Sequence, residues 1–246
     1  MRKLLTYGNM KITLGESVGV LTAIVHLAPA NLSGYEVCSG RTRGCTAVCL
    51  NSAGQGGIGS VFDARGGLVK ANNVQRARIA RTRMLFEKRD KFLAQLRVEL
   101  AAHVRKAARL GMRPAVRLNG TSDLDVENWG VMQDFPQITF YDYTKRLARM
   151  QAYLEGRMPS NYSLTYSRAE TLRSKIDSMH VLQSGGNVAV VFGGKVLPRT
   201  WNGYRVIDGT ATDARFTDPR NVIVGLLAKG KARRDTTSGF VVWESQ

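Results

Sequence analysis

The chain has 246 residues, 43% of them hydrophobic, which suffices for one large domain with a sizeable core. No run of about 18 apolar residues occurs, and residues 1–8 lack the apolar stretch of a signal peptide, so the sequence predicts neither a membrane span nor secretion. Lysine and arginine number 36 against 19 acidic residues, and the net charge of +17 attracts polyanions. We therefore expect a cytoplasmic protein that binds nucleic acid and has no membrane partner.

The first third of the chain contains one strand and a long loop. Residues 18–27 (VGVLTAIVHL) predict a buried strand. The loop that follows, residues 28–72, holds all the cysteines and many glycines. Loops of this length are uncommon unless they are functional.

A helical segment from Asn73 to Leu110 follows the loop, and we expect two helices with a break near residues 88–90. Four apolar residues recur at every fourth position and predict one buried stripe: Phe92, Leu96, Leu100 and Val104. Gly111 and Pro114 are typical of the end of a helix.

Positive charge is concentrated between Arg65 and Arg113, where 14 residues are basic and 3 are acidic. Such clustering is typical of a surface that binds DNA or RNA, and a solvated helix face in a generally basic protein is the alternative. The candidate nucleic-acid-binding residues are Arg76, Arg78, Arg81, Arg83, Lys88 and Arg89.

Beyond residue 114, short apolar strands alternate with helices. Helices are expected at residues 126–135, 146–155 and 169–183. Strands are expected at residues 115–118, 138–141, 162–166, 187–192, 204–207 and 222–226, with an edge strand at 240–243.

This alternation predicts parallel strands joined by right-handed crossovers. We expect one α/β domain over residues 1–246. Its predicted architecture is a complete or partial β/α (TIM-like) barrel with a basic helical insertion, residues 73–110, after the cysteine loop. An open doubly wound sheet is the competing architecture.

Polar segments follow the predicted strands at the same end of each strand. In β/α barrels, the carboxyl ends of the strands form the active site. Each segment alone is typical of a turn or a helix cap, but their recurrence predicts a shared pocket. The segments are residues 119–123, 142–145, 167–170, 208–215 and 229–231.

The three cysteines, Cys38, Cys45 and Cys49, are the only ones in the chain and lie within 12 residues. A disulfide fits poorly with their odd number and with a reducing cytoplasm. Structural burial fits poorly with a loop rich in serine, glycine and arginine. The pattern C-x6-C-x3-C therefore predicts a metal site.

The number of cysteines favours an iron–sulfur cluster over zinc. Structural zinc takes four protein ligands, so it would need a carboxylate or a histidine as well: His26, His103 or His180. A [4Fe-4S] cluster held by three thiolates leaves one iron open, and thiolates are the ligands such clusters prefer. We expect Arg41 and Arg43 to lower the thiol pKa values and to offset the charge of the cluster.

A three-cysteine loop after the first strand of a β/α barrel resembles the radical S-adenosylmethionine (SAM) superfamily. That resemblance implies that the open iron binds the amino and carboxylate groups of SAM, which is cleaved on reduction to a 5′-deoxyadenosyl radical. The usual spacing in that superfamily is C-x3-C-x2-C, which this sequence does not have.

The same resemblance implies roles for polar residues at the strand ends. Candidate catalytic residues are Asp123, Tyr143 and Lys145. Implied contacts to SAM include Asp123 toward its ammonium group and Arg168 toward its carboxylate. The full set of implied cofactor-binding residues is Asn119, Gly120, Ser122, Asp123, Ser167 and Arg168.

A second resemblance covers most of the chain. It is carried by residues 27–35 (LAPANLSGY), the cysteine loop, and residues 116–123 (VRLNGTSD), 140–145 (FYDYTK) and 164–168 (LTYSR). These segments are similar to a family of phage-encoded proteins of unassigned activity, which implies action in a host cytoplasm.

The leading hypothesis is thus a phage-encoded, radical-SAM-like iron–sulfur enzyme acting on nucleic acid or a nucleotide. Two alternatives stay open. One is a non-catalytic nucleic-acid-binding protein with a structural zinc or iron–sulfur site. The other is a metal-dependent nuclease with an iron–sulfur cluster, whose carboxylates would be Asp123, Asp125, Glu127 and Asp142, with Lys145.

Overall fold

A computed structural model describes residues 3–7, 19–63 and 65–243. They form a mixed α/β fold with a nine-stranded sheet and a separate two-stranded hairpin. The strands are β1 Leu5–Thr6, β2 Val20–Val25, β3 Val61–Phe62, β4 Leu68–Lys70, β5 Arg113–Arg117, β6 Thr139–Thr144, β7 Tyr162–Ser167, β8 Val188–Phe192, β9 Thr200–Trp201, β10 Tyr204–Asp208 and β11 Ile223–Leu227.

The helices of the described residues flank this sheet. They are α1 Arg43–Ala47, α2 Gly54–Gly57, α3 Asn73–Glu87, α4 Arg89–Arg109, α5 Val131–Asp134, α6 Leu147–Leu154 and α7 Leu172–Gln183. Short 3-10 turns lie at Leu50–Ser52, Val126–Trp129, Arg215–Thr217 and Gly230–Arg234. None of these helices is both long and apolar enough to cross a bilayer.

The strand order is β1-β2-β5-β6-β7-β8-β11-β10-β9. The seven strands from β2 to β10 in this order pair in parallel, and the edge strands β1 and β9 pair antiparallel. The five strands from β2 to β8 lie side by side in chain order, as the alternation of helices and strands predicts. The predicted α/β class with parallel strands is thus confirmed, while the sheet is not closed.

Two details of the sheet differ from the predicted strands. β11 inserts between β8 and β10, so the last two parallel strands are exchanged relative to chain order. The expected edge strand at residues 240–243 is reduced to one parallel bridge between Phe192 and Val242. Val18, the predicted start of the first strand, lies outside the described residues.

The two basic helices form as predicted, with the break at Lys88. The stripe Phe92, Leu96 and Leu100 is fully buried, but Val104 is only partly buried. A spacing of four residues exceeds the 3.6-residue turn, so the stripe drifts around the helix. His103 and Ala107 continue the buried face instead, as the helical period requires.

Candidate metal centre

The short helix α1 carries Cys45 and is held at its amino end by a distant carboxylate. Thr42 caps the helix by accepting a hydrogen bond from Cys45 N at 3.2 Å. Glu170, which follows β7, accepts hydrogen bonds from Gly44 N at 2.8 Å and from Thr42 Oγ1 at 2.7 Å. A Cβ atom on Gly44 would lie 2.8 Å from the Glu170 carboxylate. The end of β7 therefore fixes the position of Cys45.

Cys38 reaches the same place from the end of β2. Its Sγ accepts a hydrogen bond from Ala30 N at 3.4 Å and donates one to Thr121 O at 3.7 Å. Cys38 N donates to Glu36 Oε1 at 2.8 Å, and Glu36 also pairs with Arg41 at 3.0 Å. Because Ala30 follows β2 and Thr121 follows β5, two neighbouring strands position this thiol.

All three cysteines, Cys38, Cys45 and Cys49, line one cavity of about 50 Å³. Its lining also includes Arg41 and Lys231, and none of the described residues that line it is acidic. Among the described residues, no three His, Cys, Asp or Glu side chains are grouped closely enough to hold one metal ion.

An iron–sulfur cluster requires a different spacing of the three sulfur atoms from that required by a single metal ion. Around one zinc, every sulfur lies about 2.3 Å from the same centre. In a cluster, each thiolate binds its own iron, so the sulfurs stand further apart. The three soft thiols around one cavity fit the cluster's donor preference, and their ligation of a metal stays a prediction.

Two of the thiols are less acidic than ordinary cysteine. Burial raises the pKa of Cys38 to about 12, against the opposing effect of the Ala30 N–H group, and burial also raises the pKa of Cys49. The pKa values of these two thiols are thus raised, not lowered as expected from Arg41 and Arg43, because burial outweighs the opposing groups, which for Cys49 include Arg78 and Lys145. A bound metal would have to displace their protons.

Lys145 follows β6 and lies beside the cavity. Its Nζ donates to Ser167 Oγ at 2.7 Å and to Ser167 O at 3.2 Å, and its charge acts on Cys49. Its backbone N–H donates to Asp123 Oδ2 at 2.9 Å, and Asp123 in turn acts on Cys38. Three predicted site residues from three strand ends thus meet next to the cysteines.

The loop after β5 is held together by its own polar atoms. Asn119 Nδ2 donates to Leu124 O at 2.9 Å, and Asn119 Oδ1 accepts from Ser122 Oγ at 2.8 Å and from Leu124 N at 3.0 Å. Gly120 packs on β2, where a Cβ atom would lie 2.7 Å from the Val25 carbonyl oxygen. These predicted cofactor contacts therefore shape the loop that touches Cys38.

Arg149 on α6 gathers three of the acids that the nuclease hypothesis needs. Its guanidinium contacts Asp123 and Glu127 at 2.6 Å each and Asp125 at 3.3 Å. We call these four residues the Arg149 cluster. Arg149 is only 3% exposed, so its ion pairs are largely removed from water. The carboxylates face a cation supplied by the protein itself.

The remaining predicted catalytic residue, Tyr143, lies apart from the cavity. Its ring is 5.0 Å from the Arg117 guanidinium, which forms an ion pair with Asp213 at 2.9 Å. The Tyr143 hydroxyl is buried and has no hydrogen-bond partner among the residues that the structure describes. Asp142 takes part in the same region, 3.9 Å from Arg117, and burial raises its pKa to about 7.

Arg168 anchors the carboxyl-terminal part of the described chain. Its guanidinium donates to Gly239 O and Phe240 O at 3.2 Å each and stands 5.7 Å from the Trp201 ring. A contact of Arg168 with the SAM carboxylate, as predicted, would thus compete with its hydrogen bonds to Gly239 and Phe240.

The histidines considered as a fourth zinc ligand do not line the cavity. His26 Nδ1 is hydrogen-bonded to Thr6 Oγ1 at 2.9 Å, and His103 Nδ1 to Tyr7 at 3.0 Å. His180 is exposed on α7. The structure therefore brings none of them to the thiols.

The six basic residues predicted to bind nucleic acid divide into two groups. Arg78 contacts Asn51, and Arg81 donates to Lys3 O at 2.9 Å and His26 O at 3.4 Å, so both are used inside the fold. The other four are exposed on α3 and α4 and at the break between them: Arg76, Arg83, Lys88 and Arg89.

Two residues that shape the site are missing from the predicted set, Glu170 and Lys231. Both lie in polar segments that follow strands, β7 and β11, so their position in the sequence is the signal that points to them. Lys231 also donates to Asp63 O at 3.2 Å, which ties the turn of the β3–β4 hairpin to the far end of the chain. That long-range contact leaves no trace in the local sequence.

Comparison with known proteins gives a family. A family model described as gene product 88 matches residues 3–243, which supports the predicted phage-type family, and no radical SAM family model matches. No curated protein and no solved structure matches the chain. Because the family model spans nearly the whole sequence, the chain belongs to the gene product 88 family.

Proposed function

We propose that this protein is an iron–sulfur enzyme of the radical SAM type that acts on nucleic acid or a nucleotide. The observation that supports the proposal most is the meeting of all three cysteines at one cavity, at the carboxyl ends of parallel strands. In folds built from β/α units, active and binding sites lie at the carboxyl ends of the parallel strands.

The proposed ligands are Cys38, Cys45 and Cys49, and the cluster would supply one-electron reduction of SAM at its open iron. The surroundings suit an anionic group, since Arg41 and Lys231 line the cavity and Lys145 lies beside it. The absence of acids from the cavity wall removes a source of repulsion.

The proposed roles of the surrounding residues follow from their contacts. Lys145 and Ser167 form a hydrogen-bonded pair next to Cys49 and are positioned to meet a polar group of a bound cofactor. Asp123 holds the backbone of Lys145 and pairs with Arg149, so we propose that it acts as a positioning residue.

Anaerobic purification followed by iron, sulfide and zinc analysis tests the metal centre. We expect a brown protein with about four irons per chain, and cleavage of added SAM after reduction. Cys45→Ala should lose the iron, while Ser39→Ala, an exposed neighbour of Cys38, should keep it. Unchanged metal content in Cys45→Ala would refute the site.

One observation favours a second candidate, a non-catalytic nucleic-acid-binding protein with a structural metal site. Asp123 and Arg168, two implied contacts to SAM, are already engaged in buried bonds within the protein. A colourless protein with one zinc and no cleavage of SAM would select this candidate over the enzyme.

The nucleic-acid partner is proposed from charge. Arg76, Arg83, Lys88 and Arg89 are exposed along α3 and α4 in a protein with a net charge of +17. Replacing these four with glutamine should weaken binding of a labelled oligonucleotide and reduce its salt dependence, since each phosphate contact releases a counterion. Metal content should not change in that variant.

A further inference from the structure

We infer that a second pocket beside the cysteine cavity binds the phosphate groups of the substrate. This inference rests on the proposed function and names the anionic group that would be recognised. The pocket is an open concavity of about 710 Å³ at the protein surface. We call it the arginine cleft, and its lining is Arg41, Thr42, Arg43, Thr46, Ala47 and Arg65.

Two of the three cations of the arginine cleft are open to an anion. In the part of the chain that the structure describes, Arg43 and Arg65 are exposed and form no ion pair. Arg41 pairs with Glu36 at 3.0 Å and donates to Thr46 Oγ1 at 3.4 Å, so its charge is partly matched. No described residue that lines the cleft is acidic. The guanidinium groups of Arg43 and Arg65 are therefore available to an anion.

Asp63 holds the backbone N–H groups of Arg65 and Gly67. Its Oδ1 accepts hydrogen bonds from Arg65 N at 2.8 Å and Gly67 N at 2.7 Å. Gly66 has φ +86°, and a Cβ atom there would lie 2.7 Å from the carbonyl oxygen of Thr46. Only glycine allows this approach, so the hairpin is seated against the helix that carries Cys45.

The chemistry of the cleft favours phosphate. The planar guanidinium fork binds two phosphate oxygens at once, and arginine is over-represented where such recognition occurs. The substrate class is thus the phosphodiester backbone of a nucleic acid or the phosphate of a nucleotide.

The arginine cleft adjoins the cysteine cavity. Arg41, Thr46 and Ala47 line both the arginine cleft and the cysteine cavity. A substrate held by its phosphate in the cleft would therefore lie next to the cysteine cavity.

The test compares two pairs of charge-removing variants in the full-length protein. Arg43→Gln with Arg65→Gln removes two of the three cations of the cleft, and Lys175→Gln with Lys195→Gln removes the same charge from exposed positions outside both the cleft and the basic helices. The probe is a fluorescein-labelled oligothymidylate of 12 nucleotides, whose binding is measured by anisotropy at several salt concentrations. Circular dichroism and metal analysis confirm that each variant is folded and loaded like the wild type.

We expect the cleft pair to weaken binding about tenfold and to reduce the salt slope by about 1.4, because two phosphate contacts are lost at about 0.7 each for a single strand. The control pair of lysines should weaken binding less than about threefold, as general charge does. Equal losses in both pairs, or no loss in the cleft pair, would overturn the inference.

Competition then identifies the source of the phosphate. Displacement of the probe by micromolar thymidine monophosphate would indicate a nucleotide, and resistance to it would indicate the backbone of a strand. A protein without iron that still loses binding in the cleft pair would refute the proposed enzyme and keep the cleft. If the cleft pair still cleaves SAM and binds the probe like the wild type, the inference about the cleft is refuted and the proposed enzyme is kept.

Discussion

The cysteine cavity and the Arg149 cluster lie at the same edge of the sheet but differ in how far their charges are paired within the protein. In the cluster, a nearly buried arginine is matched by three carboxylates. The cavity is lined by three thiols with Arg41 and Lys231, and no described acid lines it, although Arg41 pairs with Glu36 outside this lining. A region whose buried charges pair within the protein serves stability, whereas a region with soft donors and cations in its wall is suited to a ligand.

The largest expected effect comes from breaking the cluster. Arg149→Met should destabilise the protein by about 3–5 kcal/mol, because Asp123 and Glu127 would be left buried without their cation. The shift in the urea midpoint measures this loss. The matched control is Arg157→Met, whose ion pair with Glu155 is exposed on both sides and should cost less than about 1 kcal/mol. If both variants lose the same stability, the cluster is not a structural centre.

A smaller effect is expected where the cavity depends on close packing. Gly44→Ala should force the Glu170 carboxylate away from α1, breaking its hydrogen bonds to Gly44 N and Thr42 Oγ1. At about 1 kcal/mol for each lost bond, the destabilisation should be about 1–3 kcal/mol. Glu170→Gln, which keeps the shape, should cost less than Gly44→Ala, and both should lower metal loading. A Gly44→Ala protein with wild-type stability and metal content would show that the anchor does not matter.

The pH dependence of stability provides the third test, through histidines that are kept neutral. Burial, with help from Arg78, lowers the pKa of His26 to about 3, and burial lowers the pKa of His103 to about 4. The unfolded chain therefore binds protons below about pH 6.5 that the folded protein excludes. Stability is complete above that pH and falls as the pH drops toward 3, by at most about 1.4 kcal/mol per pH unit for each histidine.

Urea midpoints between pH 4 and 7 measure this slope. His26→Gln and His103→Gln should each flatten it, and His180→Gln, at an exposed position, is the control. An unchanged slope in the first two variants would show that other groups govern acid unfolding.

These buried groups also show what the sequence can and cannot predict. Local patterns were enough for the two basic helices and for the five parallel strands in chain order, because periodicity is a local signal. The metal site of Cys38, Cys45 and Cys49 stays a prediction. The exchange of β10 and β11 depends on pairing between distant segments, which no local pattern records.

The same limit applies to side-chain roles. A stripe of arginines along α3 does not reveal that Arg78 and Arg81 turn inward while Arg76 and Arg83 stay exposed. Likewise, the acids at positions 123–127 suggest a metal site in the sequence. In the structure, Arg149, which is 22 or more residues away in the chain, binds them instead. Residue type gives the chemistry available, and tertiary contacts decide what remains free.

The smallest expected effect concerns the state of the cavity before any metal binds. Burial raises the pKa of Cys38 to about 12, so the folded, metal-free protein should hold this group as a neutral thiol at pH 8. Alkylation by iodoacetamide needs the thiolate, and lower acidity is only partly offset by higher nucleophilicity. Cys38 should thus react about tenfold more slowly, or slower still, in the folded protein than in urea, as measured by peptide mass spectrometry.

Steric shielding would also slow the reaction of Cys38, and the pH profile separates the two causes. A raised pKa makes the rate of the folded protein climb steadily to pH 10, while the rate in urea levels off near pH 9. Shielding alone would give parallel profiles. A profile for folded Cys38 that levels off near pH 8 would mean an ionised thiol beside Lys145 and Arg41, and the cavity would then resemble the charge-matched Arg149 cluster more than a site kept ready for metal.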